Sequence, residues 1–428
     1  LRALGSSSRL TIPFARGSAT RAGTESSIAK RRAFALRLIR RSGPLRSEHV
    51  MAIDLEVFGS ATVSEEALSA MLTRRWGTRS VSLLSAHAAE FPYDVPSLTT
   101  AGRFAVTGTA LVDDVQREFS YFVKHIREWS LSPEFAFVPV EIREWARTTV
   151  PWRTEAEVYS SDLAAELPPG LVMPDAMVQA IDDSSYAVWL EMVDVDQSEW
   201  DLERYAEAAR LLGRFAASGA VRAVAETVSH DFRIQFYVEG RVRHDVLPVL
   251  RSDVWDHPTL TAEFGELRGP MLAAAERVDA IVAELSAMPH LAAHGDACPN
   301  NLLVRPDGTG FTLIDFGYFR LLPVGFDLGQ LLIGDVQLGK RNADDLARRD
   351  AVIVEAYADG LADEGESIDI ELLERAHALQ LMLFSGLSAV PVELLDRDPD
   401  DGMRRLVAAR ARMAAHSLRL LETTATSE

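Results

Sequence analysis

The sequence predicts an α+β protein whose sheet-rich first part is followed by a larger helical part. Three observations predict it. Runs suited to strands dominate between Ser80 and Trp129. Helical spacing of apolar residues takes over from Trp200. Between Asn301 and Asp315, two short apolar runs flank the turn sequence RPDGTG, the signature of a hairpin.

In chain order, SEEALSAMLTRRWG predicts a short helix over Ser64–Gly77 with Ser64 as its N-cap. A strand is expected over Ser80–Phe91, a polar turn over Ser97–Gly102 with a strand beyond it, and another strand over Arg117–Trp129. TEAEVYSSDLAAELPPG predicts one helix, with Ala156, Tyr159, Leu163 and Leu167 on one face and Pro168-Pro169-Gly170 as its stop. SYAVWLEMVDV, Ser185 to Val195, reads as a buried strand entering a connector. An amphipathic helix follows from Trp200 through Leu202, Tyr205, Ala209, Leu212 and Phe215. Residues 218–288 read as mixed, becoming helical late. After Asp327 several helices run to the C-terminus, and the apolar stretch Leu379–Phe384 is expected to be a buried helix.

Residues 1–50 stand apart. They are rich in Arg and Ser and hold only Glu25 and Glu48 as acids. They read as a basic extension outside the fold, either a transit-like segment or a non-native leader, with folded sequence starting at Met51. The body divides into a sheet-rich part, residues 51–192, and a largely helical part, residues 193–428.

Composition narrows the function. Of 428 residues, 63 are acidic and 44 basic, a net charge of −19. That argues against a partner that is a nucleic acid or an anionic membrane. The single cysteine excludes an internal disulfide, nothing suggests secretion, and no run is long enough to span a membrane, so a cytoplasmic protein is expected. Only Lys30, Lys124 and Lys340 are lysines among the basic residues. A lysine retained inside the body is therefore notable, because arginine cannot replace a compact ammonium at a crowded site.

The stretch HGDACPNNLLVRPDGTGFTLIDFG, His294 to Gly317, concentrates the chemistry. Asp296 and Asn301 share one short loop, and Asp315 follows the apolar run Phe311–Ile314. If RPDGTG folds the run back, all three meet at one end of a hairpin. Phosphoryl transfer needs such a set: a carboxylate to orient the attacking hydroxyl, oxygen ligands for Mg²⁺, and a cation to steady the nucleotide.

HGD followed by four residues, Asn, and a hydrophobic run ending in Ile-Asp resembles the signature of the aminoglycoside phosphotransferase and choline kinase family. These are small-molecule kinases related to protein kinases. The resemblance implies a protein-kinase-like two-lobed fold, with a small antiparallel-sheet N-lobe and a larger helical C-lobe. It implies Asp296 as catalytic base, Asn301 and Asp315 as Mg²⁺ ligands, His294 as a support of the loop, and Asp327 of GFDLGQLL as a structural aspartate. Lys124 in YFVKHI matches the lysine that touches the nucleotide phosphates. Its partner is a helix glutamate. Glu155 lies about 40° from Tyr159 around the helix while Glu157 points almost opposite, so Glu155 is chosen. WLEMV resembles the hinge that reads adenine through its backbone, at Leu190 and Met192. ATP, or GTP, with Mg²⁺ and a small-molecule acceptor bearing a hydroxyl are the implied partners. The chain departs from the protein-kinase pattern. It has no Gly-rich G-x-G-x-x-G loop, with Thr99–Gly102 the best substitute. Gly295 stands where those kinases carry arginine, and no Ala-Pro-Glu element is present.

Other readings exist for the same residues. Asp296 and Asn301 alone are ordinary loop-capping residues. Lys124 alone is a solvated strand charge, and Glu155 alone a first-turn helix acid. Cys298 is expected to be a bystander. GDVQLGKR, Gly334 to Arg341, begins like a P-loop but has Arg341 where Ser or Thr must bind Mg²⁺. Lys340 is then a solvated charge near a helix end. The acids Asp363, Glu364, Glu366, Asp369 and Glu371 suit either a solvated face or attraction of an amine, and Trp255 and His257 are candidate pocket residues. A catalytically silent nucleotide-binding scaffold is the alternative to the kinase.

Overall fold

The computed structural model describes residues 52–91, 97–230, 232–396 and 400–425. The basic extension 1–50 lies outside them. The expected α+β division into a sheet-rich first part and a helical second part is borne out. Among the described residues the chain forms two compact units. One comprises 52–91 and 105–120, the other 97–104 and the chain from 121 onward.

In the smaller unit, β1 (Ala52–Asp54) pairs in parallel with β2 (Ser82–Glu90), Ala52 opposite Ser85. Helix α1 (Glu65–Trp76) starts where expected. Ser64 accepts the Ala67 N–H, a cap worth about 1 kcal/mol, and Gly77 closes the helix in the left-handed conformation. The long strands β3 (Thr100–Val112) and β4 (Val115–Arg127) flank the two-residue turn Asp113-Asp114. Both turn residues have positive φ, the geometry that matches strand twist.

In the larger unit, after the two-residue strand β5 (Leu171–Val172), β6 (Ala176–Asp182) pairs with β7 (Ser185–Glu191), and β7 with β4, both antiparallel. Lys124 lies opposite Val188. Two expectations fail before β6. The turn expected over Ser97–Gly102 is shorter, because Thr100, Ala101 and Gly102 already belong to β3. Gly102 serves packing there, since a Cβ would sit 2.7 Å from the Phe104 ring. The single helix expected after Thr154 is two, α2 (Thr154–Tyr159) and α3 (Leu163–Glu166). The hydroxyls between them compete with the helical ladder. Ser160 donates to the Ala156 carbonyl, and Ser161 donates to Val158 and accepts the Leu163 N–H.

Helix α4 (Leu202–Ala217) begins on the Asp201 cap and buries Tyr205, Ala209, Leu212 and Phe215. The following region is helical almost throughout. It includes α5 (Ile234–Tyr237), which continues as a π-helix over Val238–Val246. Strand β8 (His290–Ala293) leads into the polar loop. The hairpin of β9 (Leu302–Val304) and β10 (Phe311–Leu313) is as expected, Leu302 opposite Leu313. Helices α6 (Phe326–Gln337), α7 (Leu346–Asp363), α8 (Ile370–Leu381) and α9 (Asp401–Thr423) complete the unit. The buried apolar stretch expected over Leu379–Phe384 spans the end of α8 and a second π-helix, Met382–Gly386.

Candidate active site

The site is assembled at one end of the β9–β10 hairpin. Asn301 immediately precedes β9, and Asp315 comes two residues after β10. The Ile314 N–H donates to the Asn301 carbonyl, tying the two ends together.

Asp327 builds the loop that carries Asp296. Its two carboxylate oxygens accept the main-chain N–H groups of His294 and Gly295, each at 2.8 Å. Burial raises the Asp327 pKa to about 6. It is a structural group, as its position implied. His294 is fully buried, and burial lowers its pKa to about 4. Its Nδ1 accepts the Asp296 N–H at 3.3 Å, which leaves Nε2 as the donor to the Ile314 carbonyl at 2.9 Å. One neutral imidazole thus clamps both sides of the site. Gly295 has φ +84°, and a Cβ there would lie 2.3 Å from the Tyr318 carbonyl oxygen, so no larger side chain fits this approach.

Asn301 locks Asp296. Its Nδ2 donates to the Asp296 carbonyl at 2.8 Å and to Asp296 Oδ2 at 3.1 Å. Burial raises the Asp296 pKa to about 7, and the Asp315 charge adds to this while the Asn301 hydrogen bond opposes it. Asp315 is one of three non-glycine residues with positive φ among those described, at +65°. Strain of that kind persists where surrounding contacts hold it.

Lys124 supplies the cation. Its Nζ lies 2.6 Å from Glu155 Oε2 and 2.8 Å from Asp315 Oδ1. Burial alone would lower the lysine pKa, but the two carboxylates outweigh it and hold the ammonium charged. Burial raises Glu155, whose side chain is 5% exposed. Asp315 is also opposed by burial, yet Lys124 lowers it below its ordinary value. Lys124, Glu155, Asp296, Asn301 and Asp315 therefore converge. Glu157, the glutamate not chosen, instead accepts the Ser229 N–H at 2.9 Å.

The hinge residues are placed differently from one another. Leu190 lies inside β7, opposite Phe122 and Ala176, with a strand on each side. Met192 lies just past the last strand residue, Glu191.

The oxygen donors suit a hard cation. The Asn301 amide nitrogen is spent on Asp296, so its Oδ1 and the Asp315 carboxylate are the oxygens that could serve Mg²⁺ here. Among the described residues no cluster of three or more His, Cys, Asp and Glu could hold a metal. A pair of protein oxygens completed by phosphates is how Mg²⁺ is usually held in kinases.

Some residues acquire roles that local sequence did not signal. Arg103 acts electrostatically on both Glu155 and Asp315, although nothing in GRFAV marks it. Lys340 is not merely solvated, since its Nζ donates to Asn300 Oδ1 at 2.7 Å, next to Asn301. The P-loop reading is excluded, because Gly334–Gln337 lie on α6. Burial pushes the Cys298 thiol up to about 12, in keeping with a bystander. Trp255 is buried with its indole N–H on the Leu250 carbonyl, and His257 accepts the Thr259 N–H at a helix start. Asp363 and Glu364 pair with Arg210 and Arg214, each at 2.8 Å, and Asp369 caps α8.

Residues 163–365 match the model of the APH family, described as the phosphotransferase enzyme family. The resemblance read from HGD and ID is borne out over that stretch, and it supports phosphotransferase activity in general. Solved structures of such kinases are similar at low identity. An aminoglycoside phosphotransferase from Alicyclobacillus acidocaldarius is 18% identical, over 74% of this chain and 89% of that one, with a TM-score of 0.43. One from Streptomyces rimosus is 16% identical, over 75% and 99%, with a TM-score of 0.37. An ethanolamine kinase from Plasmodium vivax is 11% identical, over 79% and 84%, with a TM-score of 0.42. None of the curated proteins matches this chain. Among the described residues no helix is long and apolar enough to cross a membrane.

Proposed function

We propose that this chain transfers the γ-phosphoryl group of ATP, or of GTP, to a hydroxyl of a small molecule. The observation that carries the reading is the meeting of Lys124, Glu155 and Asp315 around one ammonium, beside the Asp296–Asn301 pair. In this reading Asp296 orients the acceptor O–H and takes its proton. The acceptor oxygen bonds to the γ-phosphorus as the bond to the bridging oxygen breaks, and the nucleoside diphosphate leaves. The raised pKa of Asp296 suits a group that must both accept a proton and return it to solvent. Lys124 steadies the nucleotide phosphates, with Glu155 fixing its direction. Asn301 and Asp315 would hold Mg²⁺, which supplies neutralisation of charge on the phosphates when bound. Residues 51–192 would serve the nucleotide, with main-chain groups at Leu190 and Met192 reading the base. Met192 is the better placed, being beyond the strand ladder. Residues 193–428 would hold the acceptor.

Asp296→Ala tests the reading. Transfer from γ-labelled ATP into a metabolite extract and an antibiotic panel should fall by about 10²–10⁴-fold, while nucleotide binding by calorimetry persists. Unchanged turnover in the variant would remove Asp296 from the chemistry.

A further inference from the structure

Aromatic side chains gather on one side of the Asp296 loop. Tyr318 is 43% exposed. Its carbonyl and Cβ pack against Gly295, so its side chain starts beside the residue that precedes Asp296. Phe232 meets the Tyr318 ring edge-on at 5.7 Å. Asp296, Asp315 and Tyr237 all act on the Tyr318 phenol, which places Tyr237 on the same side. Tyr237 stacks on Phe384 at 4.4 Å, and Phe384 meets Phe326 edge-on at 5.1 Å. Phe232, Tyr237, Phe326 and Phe384 are each only partly buried. Rings left partly in water beside a catalytic loop mark a ligand surface more readily than a core.

The backbone reinforces this. Tyr237 is the last residue before the π-helix Val238–Val246, and Phe384 is the middle residue of the π-helix Met382–Gly386. π-Helical turns are rare, and they concentrate at functional sites. The stacked pair joins the residue that enters one of them to the middle of the other.

Arg241 stands beside Tyr237, and Asp245, one further turn along, faces Arg241. The acids that could have attracted an amine, Asp363 and Glu364, are already paired with arginines.

Resting on the phosphotransferase reading above, we propose that Tyr318, Phe232, Tyr237 and Phe384 form the acceptor subsite, and that the acceptor is a hydroxyl compound with a flat aromatic or conjugated body. Its rings lie against the aromatic wall, and its hydroxyl reaches Asp296.

The test uses the full chain with Mg²⁺ and γ-labelled ATP. 7-Hydroxyflavone and 2-naphthol are the flat probes, with kanamycin and choline as charged ones. Calorimetry of ATP binding runs alongside. The flat probes should be labelled, and Tyr318→Ala should raise their KM about tenfold or more, the scale of one lost aromatic contact. ATP affinity should not change. Phe232→Leu, which keeps apolar volume and removes the ring, should raise KM in the same direction without risk to the fold. Labelling of kanamycin or choline with a KM indifferent to both substitutions would overturn the proposal. So would ATP binding with no binding or labelling of either flat probe, which leaves the kinase reading standing. Absence of ATP binding would instead sink the kinase reading, and this proposal with it.

Discussion

At the scale of single residues, the most exacting feature is Lys124 between two carboxylates. Its side chain is 10% exposed and that of Glu155 is 5%. Removing one member of a buried ion pair strands the other, which costs about 3–5 kcal/mol. Lys124→Met should therefore destabilise the protein strongly, because Glu155 would face Asp315 with no cation between them. Lys124→Met/Glu155→Gln should recover part of that loss, since only Asp315, whose side chain is 43% exposed, is then left without the ammonium. On the function proposed above it should not recover activity, because no ammonium would then meet the nucleotide phosphates. Urea unfolding and nucleotide KM, measured on both variants, separate the two effects. A double variant that regains normal nucleotide kinetics would show that Lys124 is structural only.

At the scale of elements, a buried cluster joins three of the last helices. Asp350 of α7 accepts from His377 Nε2 of α8 at 2.8 Å and from His416 Nε2 of α9 at 2.7 Å. All three residues are buried. Burial would raise the Asp350 pKa, but the two imidazoles outweigh it and hold the carboxyl well below the ordinary carboxylate range. A depressed folded pKa gives stability that is present above the unfolded value, near 3.9, and is lost as pH falls below it. Asp350→Asn should thus lower the urea midpoint at pH 7, and the gap to wild type should shrink by pH 3. A gap that stays constant across that range would remove the charge from the account. No local signal announces this cluster, because its members lie 27 and 66 positions from Asp350. The β9–β10 hairpin was legible for the opposite reason. Its turn residues and both strands fall within a few positions, so local chemistry decides the outcome. The split of α2 from α3 was missed because periodicity counts apolar residues. It does not weigh the hydroxyls of Ser160 and Ser161 against the ladder.

At the scale of the whole molecule, the site depends on contacts no window of sequence contains. Lys124 reaches Asp315 across 191 positions. Its assignment came from the resemblance and from the order of the parts, not from spacing. Arg103 and the aromatic wall around Tyr318 had neither kind of support and emerged only from the fold. The chain's single cysteine reports on that long-range assembly. Cys298 sits two residues beyond Asp296, inside the loop that Asp327 and Asn301 hold together. Burial, then the charge of Asp296, push its thiol up to about 12. An unfolded thiol titrates near 8.5. Thiolate is the reactive form, and the gain in nucleophilicity at high pKa offsets only part of its scarcity. Alkylation by iodoacetamide at pH 8 should therefore run about a hundredfold slower in native protein than in urea. Because the whole chain carries one thiol, the rate should follow the same urea transition as tryptophan fluorescence. Fast labelling that precedes this transition would mean that the catalytic loop opens while the rest of the fold persists. The clamp of His294, Asp327 and Asn301 would then be weaker than its hydrogen bonds imply.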